Sequence, residues 1–160
     1  MKNLLLSILL LSFAWASTAQ IFVRGISPAS IAGEYEFAWA APTEGGWSYP
    51  DFNIPNTFVQ GPVRLADDVY ACDPLLNDLT GKIAIIHRGN CSFGNKALNA
   101  QNAGAIGVII INNQPGLFAP GSGDEGTLVT IPVVMLTGDD GAILINEMAN
   151  GEVVMFMGNK

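Results

Sequence analysis

The sharpest pattern of apolar and polar positions lies in Gly81 to Asn113. An apolar run from Ile83 to Ile86 leads into a short polar turn and an amphipathic stretch. A second apolar run, Ile106 to Ile111, follows. Strand, helix and strand within about 30 residues is what a parallel βαβ crossover requires. The spacing predicts a helix that opens at Ser92 as N-cap and carries Phe93, Ala97, Ala100 and Ala103 on one face. Gly104 stands where a helix ends in a left-handed residue. Small alanines let such a helix sit close to a sheet, and uninterrupted apolar strands on either side predict burial on both faces.

The flanks give weaker signals. Gln20–Arg24 reads as a first strand ended by Gly25 and Pro28. Ile31–Ala40 reads as one half-buried strand, with Tyr35, Phe37 and Trp39 on a face opposite Glu34 and Glu36. Residues 41–62 read as a long irregular loop. The aromatics Trp47, Tyr49, Phe52 and Phe58 argue against a flexible linker there. Val63–Ala66 is a short strand, and Asp73-Pro74 and Thr80-Gly81 are turns. Residues 112–130 form a second loop, and Ile131–Leu136 a strand with Pro132 near its start. A helix from Gly138 to Ala149 carries acids in its first turn, where the helix dipole favours them. Val153–Met157 is the closing strand, and no internal repeat is present.

The first 19 residues change the setting. Lys2, an apolar run from Leu4 to Leu11 and the small residues Ser17 to Ala19 read as a secretory signal peptide cleaved after Ala19. The run is too short to span a bilayer, so no stable membrane insertion is expected once it is removed. The expected localisation is extracellular or periplasmic. The remaining 141 residues suit one domain, and without Lys2 the formal charge moves from −7 to −8. Scattered acids and few cations exclude nucleic acid as a partner.

Cys72 and Cys91 are an even pair in an oxidising compartment and read as a disulfide. Closing that loop stabilises the fold by about 3 kcal/mol in the chain-entropy model. Two thiols and one histidine at this spacing make a poor metal site.

Candidate catalytic chemistry is thin. His87, the only histidine, could join Ser92 and Asp73 as a small hydrolase, a reading that stays open here. Neither a G-x-S-x-G elbow nor an H-E-x-x-H helix accompanies it. Gly121 to Gly126 matches G-x-G-x-x-G as a string. A strand follows it rather than a helix, and Asp124 and Glu125 would repel a pyrophosphate. Asp67, Asp68, Asp73 and Asp78 crowd one stretch without the ordered spacing of a calcium loop. A solvated turn surface accounts for them better, and Ca²⁺ stays open. Asn90-Cys91-Ser92 is formally a glycosylation sequon.

Together these residues resemble the protease-associated (PA) domain. The resemblance rests on Cys72 with Pro74, Gly81 to Ala84, the turn Arg88 to Phe93, Lys96, and Ala100 to Ala105. Ile131 to Val133, Asp140-Gly141 and Ser30 to Gly33 with Tyr35 add to it. It implies an α/β fold of the compact swivelling β/β/α type, with the βαβ crossover and an irregular N-terminal β part. It implies no catalysis and no cofactor, and a protein or peptide ligand or a role in substrate access. By similarity with sorting receptors, the ligand-binding residues would be Arg88, Gly89, Asn90, Cys91, Ser92 and Phe93. The competing reading makes Arg88 a tie within the turn and Phe93 a core filler. The alternative implied is the N-terminal PA portion of a larger secreted peptidase whose catalytic domain lies outside this chain. No oligomeric state follows.

Overall fold

The computed structural model describes residues 20–160; the signal-peptide reading of residues 1–19 lies outside the described residues. Among the described residues eight strands form one mixed sheet, in the order β2 (Gly33–Glu34), β1 (Ile21–Ser27), β8 (Val154–Asn159), β4 (Phe58–Leu65), β5 (Ile83–His87), β6 (Gly107–Ile111), β7 (Val133–Leu136) and β3 (Phe37–Ala38). Its centre is the expected crossover. Strand β5 (Ile83–His87), helix α2 (Phe93–Asn102) and strand β6 (Gly107–Ile111) form a parallel unit. Strand β7 (Val133–Leu136) extends it in parallel, and β4 (Phe58–Leu65) joins the other side. Short helix α1 (Pro42–Gly45) precedes β4, and α3 (Gly138–Met148) follows β7.

Alternating side chains of the parallel strands feed two separate cores, as the uninterrupted apolar runs require. Ala84, Ile86, Val108, Ile110, Val133 and Met135 pack under Ala97 and Ala100 of α2. Ile83, Ile85, Ile109, Ile111, Val134 and Leu136 pack with Leu144 of α3 on the opposite face. Both helices begin with the side-chain caps their sequences offer. Ser92 Oγ accepts from Asn95 N at 3.1 Å, and Thr137 Oγ1 accepts from Asp140 N at 3.1 Å. Gly104 ends α2 at φ +94°, and a Cβ there would come within 2.7 Å of Thr80 Oγ1.

Three expectations are corrected. Residues 31–40 are not one strand: β2 (Gly33–Glu34) pairs with β1 (Ile21–Ser27) at one edge of the sheet, and β3 (Phe37–Ala38) pairs with β7 at the other. A two-residue period reports which face is buried, not which neighbour a residue joins. Tyr35, Phe37 and Trp39 do pack against one core, as expected. Residues 41–62 are not all loop, because β4 starts at Phe58. Phe58 to Pro62 pairs antiparallel with β8 (Val154–Asn159), and Val63 to Leu65 pairs parallel with β5. Pro62 stands where the strand exchanges one neighbour for the other. The strand placed at Val63–Ala66 is therefore only the end of an eight-residue one. Trp47, Tyr49 and Phe52 are buried core residues, in keeping with a segment that is no flexible linker. Tyr49 Oη donates to the Ala40 carbonyl, and burial, with the Asp51 carboxylate nearby, pushes its phenol pKa up.

Candidate functional site

In the parallel register His87 faces Ile111, so the residues that follow each strand, Arg88 and Asn112, become neighbours. Arg88 Nη1 donates to Asn112 Oδ1 at 2.9 Å, and its guanidinium carbon lies 4.7 Å from the centre of the Phe118 ring. Asn112 is buried. Its Nδ2 donates to the carbonyls of Gln114 at 2.9 Å and Gly116 at 2.7 Å, which folds the start of the long loop back on itself. Asn113 Nδ2 reaches the Arg88 carbonyl at 3.2 Å. Phe118 also meets Phe93, with ring centres 6.0 Å apart. Arg88 and Phe93 thus bracket one exposed aromatic ring from the second loop.

A cleft of about 470 Å³ opens beside this cluster, at the C-terminal ends of β6 and β7. Asn112 to Gly116 form one wall and Thr137 to Asp139 the other. The cleft offers backbone carbonyls and amides, side-chain amides and one carboxylate.

The rest of the expected site is structural in part. Gly89 and Asn90 turn the chain at positive φ, and Asn90 is exposed. Cys91 is bonded to Cys72. Ser92 caps α2 and donates its own hydroxyl proton to Glu125 Oε2 at 2.9 Å. This corrects the hydrolase reading. The Ser92 proton goes to a carboxylate rather than an imidazole, and His87 stands edge-on to Tyr70, ring centres 6.5 Å apart. No nucleophile–base pair is assembled from Ser92, His87 and Asp73. Among the described residues no group of three or more His, Cys, Asp or Glu could hold a metal ion.

The acids have other work. Asp68 accepts from the backbone N–H of Tyr70 at 3.0 Å, of Cys72 at 2.8 Å and of Asp73 at 3.5 Å. Asp67 accepts from Leu76 N at 3.1 Å, and Asp78 from Thr80 N at 2.9 Å. Facing this turn, α2 presents a polar stripe to protein rather than to solvent. Asn95 Nδ2 donates to the Cys72 carbonyl and Asn99 Nδ2 to that of Ala71, each at 3.0 Å. Lys96, between them, is fully buried and donates to the Tyr70 carbonyl. Burial pushes the Lys96 pKa down, and the charge of Asp68 partly opposes this.

The Tyr70 N–H, first among its backbone donors and the largest influence, holds Asp68 below its ordinary value of 3.8. A depressed carboxylate contributes stability that is present above its unfolded pKa and lost as pH falls through the folded one. Asp68→Asn is expected to lose about 0.5–1.5 kcal/mol at pH 7, since the carboxylate is largely open to solvent and screened by it. The gap to wild type should narrow in urea unfolding below pH 3.8. A gap that stays constant with pH would show that the carboxylate charge plays no part.

The chain matches the PA domain description over residues 38–144. That span is well over half of the chain. The chain belongs to the PA domain family. It is 46% identical over 86 residues to signal peptide peptidase-like 2 of Arabidopsis thaliana, which covers 52% of this chain and 16% of that protein. It is 39% identical over 93 residues to ER degradation-enhancing alpha-mannosidase-like protein 3 of Homo sapiens, covering 52% of this chain and 10% of that protein. Among solved structures, an aminopeptidase from Aneurinibacillus sp. strain AM-1 superposes with a TM-score of 0.64 at 27% identity, over 88% of this chain and 30% of that one. The PA domain described here is thus a small fraction of each of these proteins. Its described residues present no catalytic constellation, and among them no helix is long and apolar enough to cross a membrane.

Proposed function

We propose that this PA domain is an exported, non-catalytic module that binds an extended peptide segment of a protein at the ends of β5, β6 and β7. The Arg88–Phe118 pair beside the polar cleft carries the reading. A guanidinium held against a ring and by Asn112 is pre-ordered, so less side-chain entropy is lost when it engages a carbonyl or carboxylate. Export to an oxidising compartment belongs to the same reading, supported by the Cys72–Cys91 bond and the N-terminal apolar run.

Screening an array of immobilised random peptides, then titrating the bound sequences, tests the proposal. Arg88→Ala is expected to weaken binding by roughly ten- to a hundredfold, since hydrogen bonds to a charged group contribute about 1.5–3 kcal/mol. Arg88→Lys keeps the charge without the planar fork and should recover only part of it. Binding unchanged in a folded Arg88→Ala protein, or no peptide bound by the wild type, overturns the site.

A second reading is favoured by the 88% coverage within an aminopeptidase chain three times as long: the domain shapes access to a peptidase catalytic domain encoded with it. An open reading frame running past Lys160 into such a domain supports this, and a stop codon there overturns it.

A further inference from the structure

The two sulfurs of the Cys72–Cys91 bond stand in unlike electrical surroundings. Lys96 Nζ lies 3.8 Å from Cys72 Sγ, on a side chain with no solvent exposure. The same ammonium lies 5.5 Å from the centre of the Tyr70 ring. Asp68, the carboxylate facing it, is already committed to the backbone N–H groups of Tyr70 and Cys72. From β5, His87 stands edge-on to the Tyr70 ring, ring centres 6.5 Å apart. Carbonyl oxygens of Tyr70 and Gly89 lie 3.7 and 3.9 Å from Cys72 Sγ, and that of Tyr70 lies 3.9 Å from Cys91 Sγ. A full positive charge outweighs such partial charges at like distance, and it stands beside Cys72. Both cysteines are half-buried, so exposure alone does not choose between them.

We propose that Cys91 is the sulfur at which an external thiol enters this disulfide, with Cys72 leaving as a thiolate held by the Lys96 ammonium. The incoming thiolate forms a new S–S bond to Cys91 Sγ. The Cys91–Cys72 bond breaks, and its electron pair passes to Cys72 Sγ. This exchange is redox-neutral. Full reduction needs a second thiol, which attacks the mixed disulfide, frees Cys91 as thiolate and departs as the small-molecule disulfide. A leaving sulfur of lower pKa departs faster, and a neighbouring lysine lowers a thiol pKa. The depressed lysine pKa points the same way: a thiolate at this distance supplies the counter-charge that burial denies the ammonium. The adduct would sit on the turn between Arg88 and Phe93, and the chemistry holds whether or not that turn binds peptide.

The test is to incubate the folded, disulfide-bonded chain with glutathione, quench in acid, alkylate free thiols and map both cysteines by peptide mass spectrometry. Glutathione on Cys91 with alkylated Cys72 is expected in about tenfold or greater excess over the reverse. The reverse adduct, an even split or no adduct at all overturns the proposal. Lys96→Gln should bring the split towards even and slow the exchange by about tenfold, while Lys96→Arg preserves the bias. If Lys96→Gln does not fold, thiolate absorbance in the single-cysteine chains decides. In Cys91→Ser the Cys72 thiol should titrate below the ordinary value of about 8.5, and in Cys72→Ser the Cys91 thiol at or above it. Equal midpoints would sink the idea.

Discussion

Replacing Phe52 by alanine is expected to lower the unfolding free energy by about 3–5 kcal/mol, although it lies outside every helix and strand. The ring is 1% exposed, sits 5.2 Å from that of Trp39, and packs in the α3-side core with Val23, Val63, Leu144 and Met155. Its carbonyl accepts from the buried Asn159 side chain at 3.1 Å, which ties the segment to the last strand. The change leaves a cavity whose walls are sheet and helix and cannot readily collapse. Thermal unfolding should show a fall in Tm on the order of 10 °C or more. Ile54, two residues on and 59% exposed, is the control: Ile54→Ala should stay within about 0.5 kcal/mol of wild type. A cost for Phe52→Ala below about 1 kcal/mol would mean that this segment lies on the core without belonging to it.

That segment also shows where sequence reasoning stops. The crossover was legible because three independent local signals agreed: doubly buried apolar runs, a serine cap and a terminal glycine. The Cys72–Cys91 pairing was legible from an even count of two in a chain expected to be exported. Residues 31–40 show the right buried face but read as one strand, because the choice between β1 and β7 as neighbour is made by tertiary contacts. Pro62 hid the first half of β4, since a proline argues against a central strand unless the strand changes neighbours there. In the site, Arg88 and Phe93 could be named from the turn pattern, but Asn112 and Phe118 could not. They lie in a glycine-rich loop without periodicity. One signal was available: residues that directly follow two adjacent parallel strands are neighbours, which sets Asn112 beside Arg88. The polar stripe of α2 was hidden for a related reason. Asn95, Lys96 and Asn99 have the composition of a solvated face, and only the fold brings the Tyr70–Asp73 turn against them.

Gly94→Ala should reverse the usual sign of its kind. On an exposed helix a glycine replaced by alanine gains roughly 0.5–1 kcal/mol. Gly94 lies in the first turn of α2, where an added Cβ would come within 1.8 Å of the Ser122 carbonyl oxygen and 3.1 Å of Gly126 N. Both are backbone, so no side chain can swing away. Either the loop of residues 112–130 or the helix must move. The loop is held against α2 by Ser92 on Glu125, by Gln101 Nε2 on the Leu128 carbonyl at 3.1 Å, and by Thr130 N on Gln101 Oε1 at 2.7 Å. Overpacking with partial loss of these bonds should cost about 2–4 kcal/mol in urea unfolding. Gly151→Ala, where an added Cβ meets nothing within 4 Å, should be neutral or slightly stabilising. The same displacement reaches the proposed site, because Phe118 rides on this loop while Arg88 and Phe93 stand on the sheet and helix side. Gly94→Ala should therefore weaken peptide binding even at temperatures where the protein stays folded, and Gly151→Ala should not. A Gly94→Ala protein more stable than wild type would show that loop and helix are not in backbone contact, and the bracketing of Phe118 would lose its support.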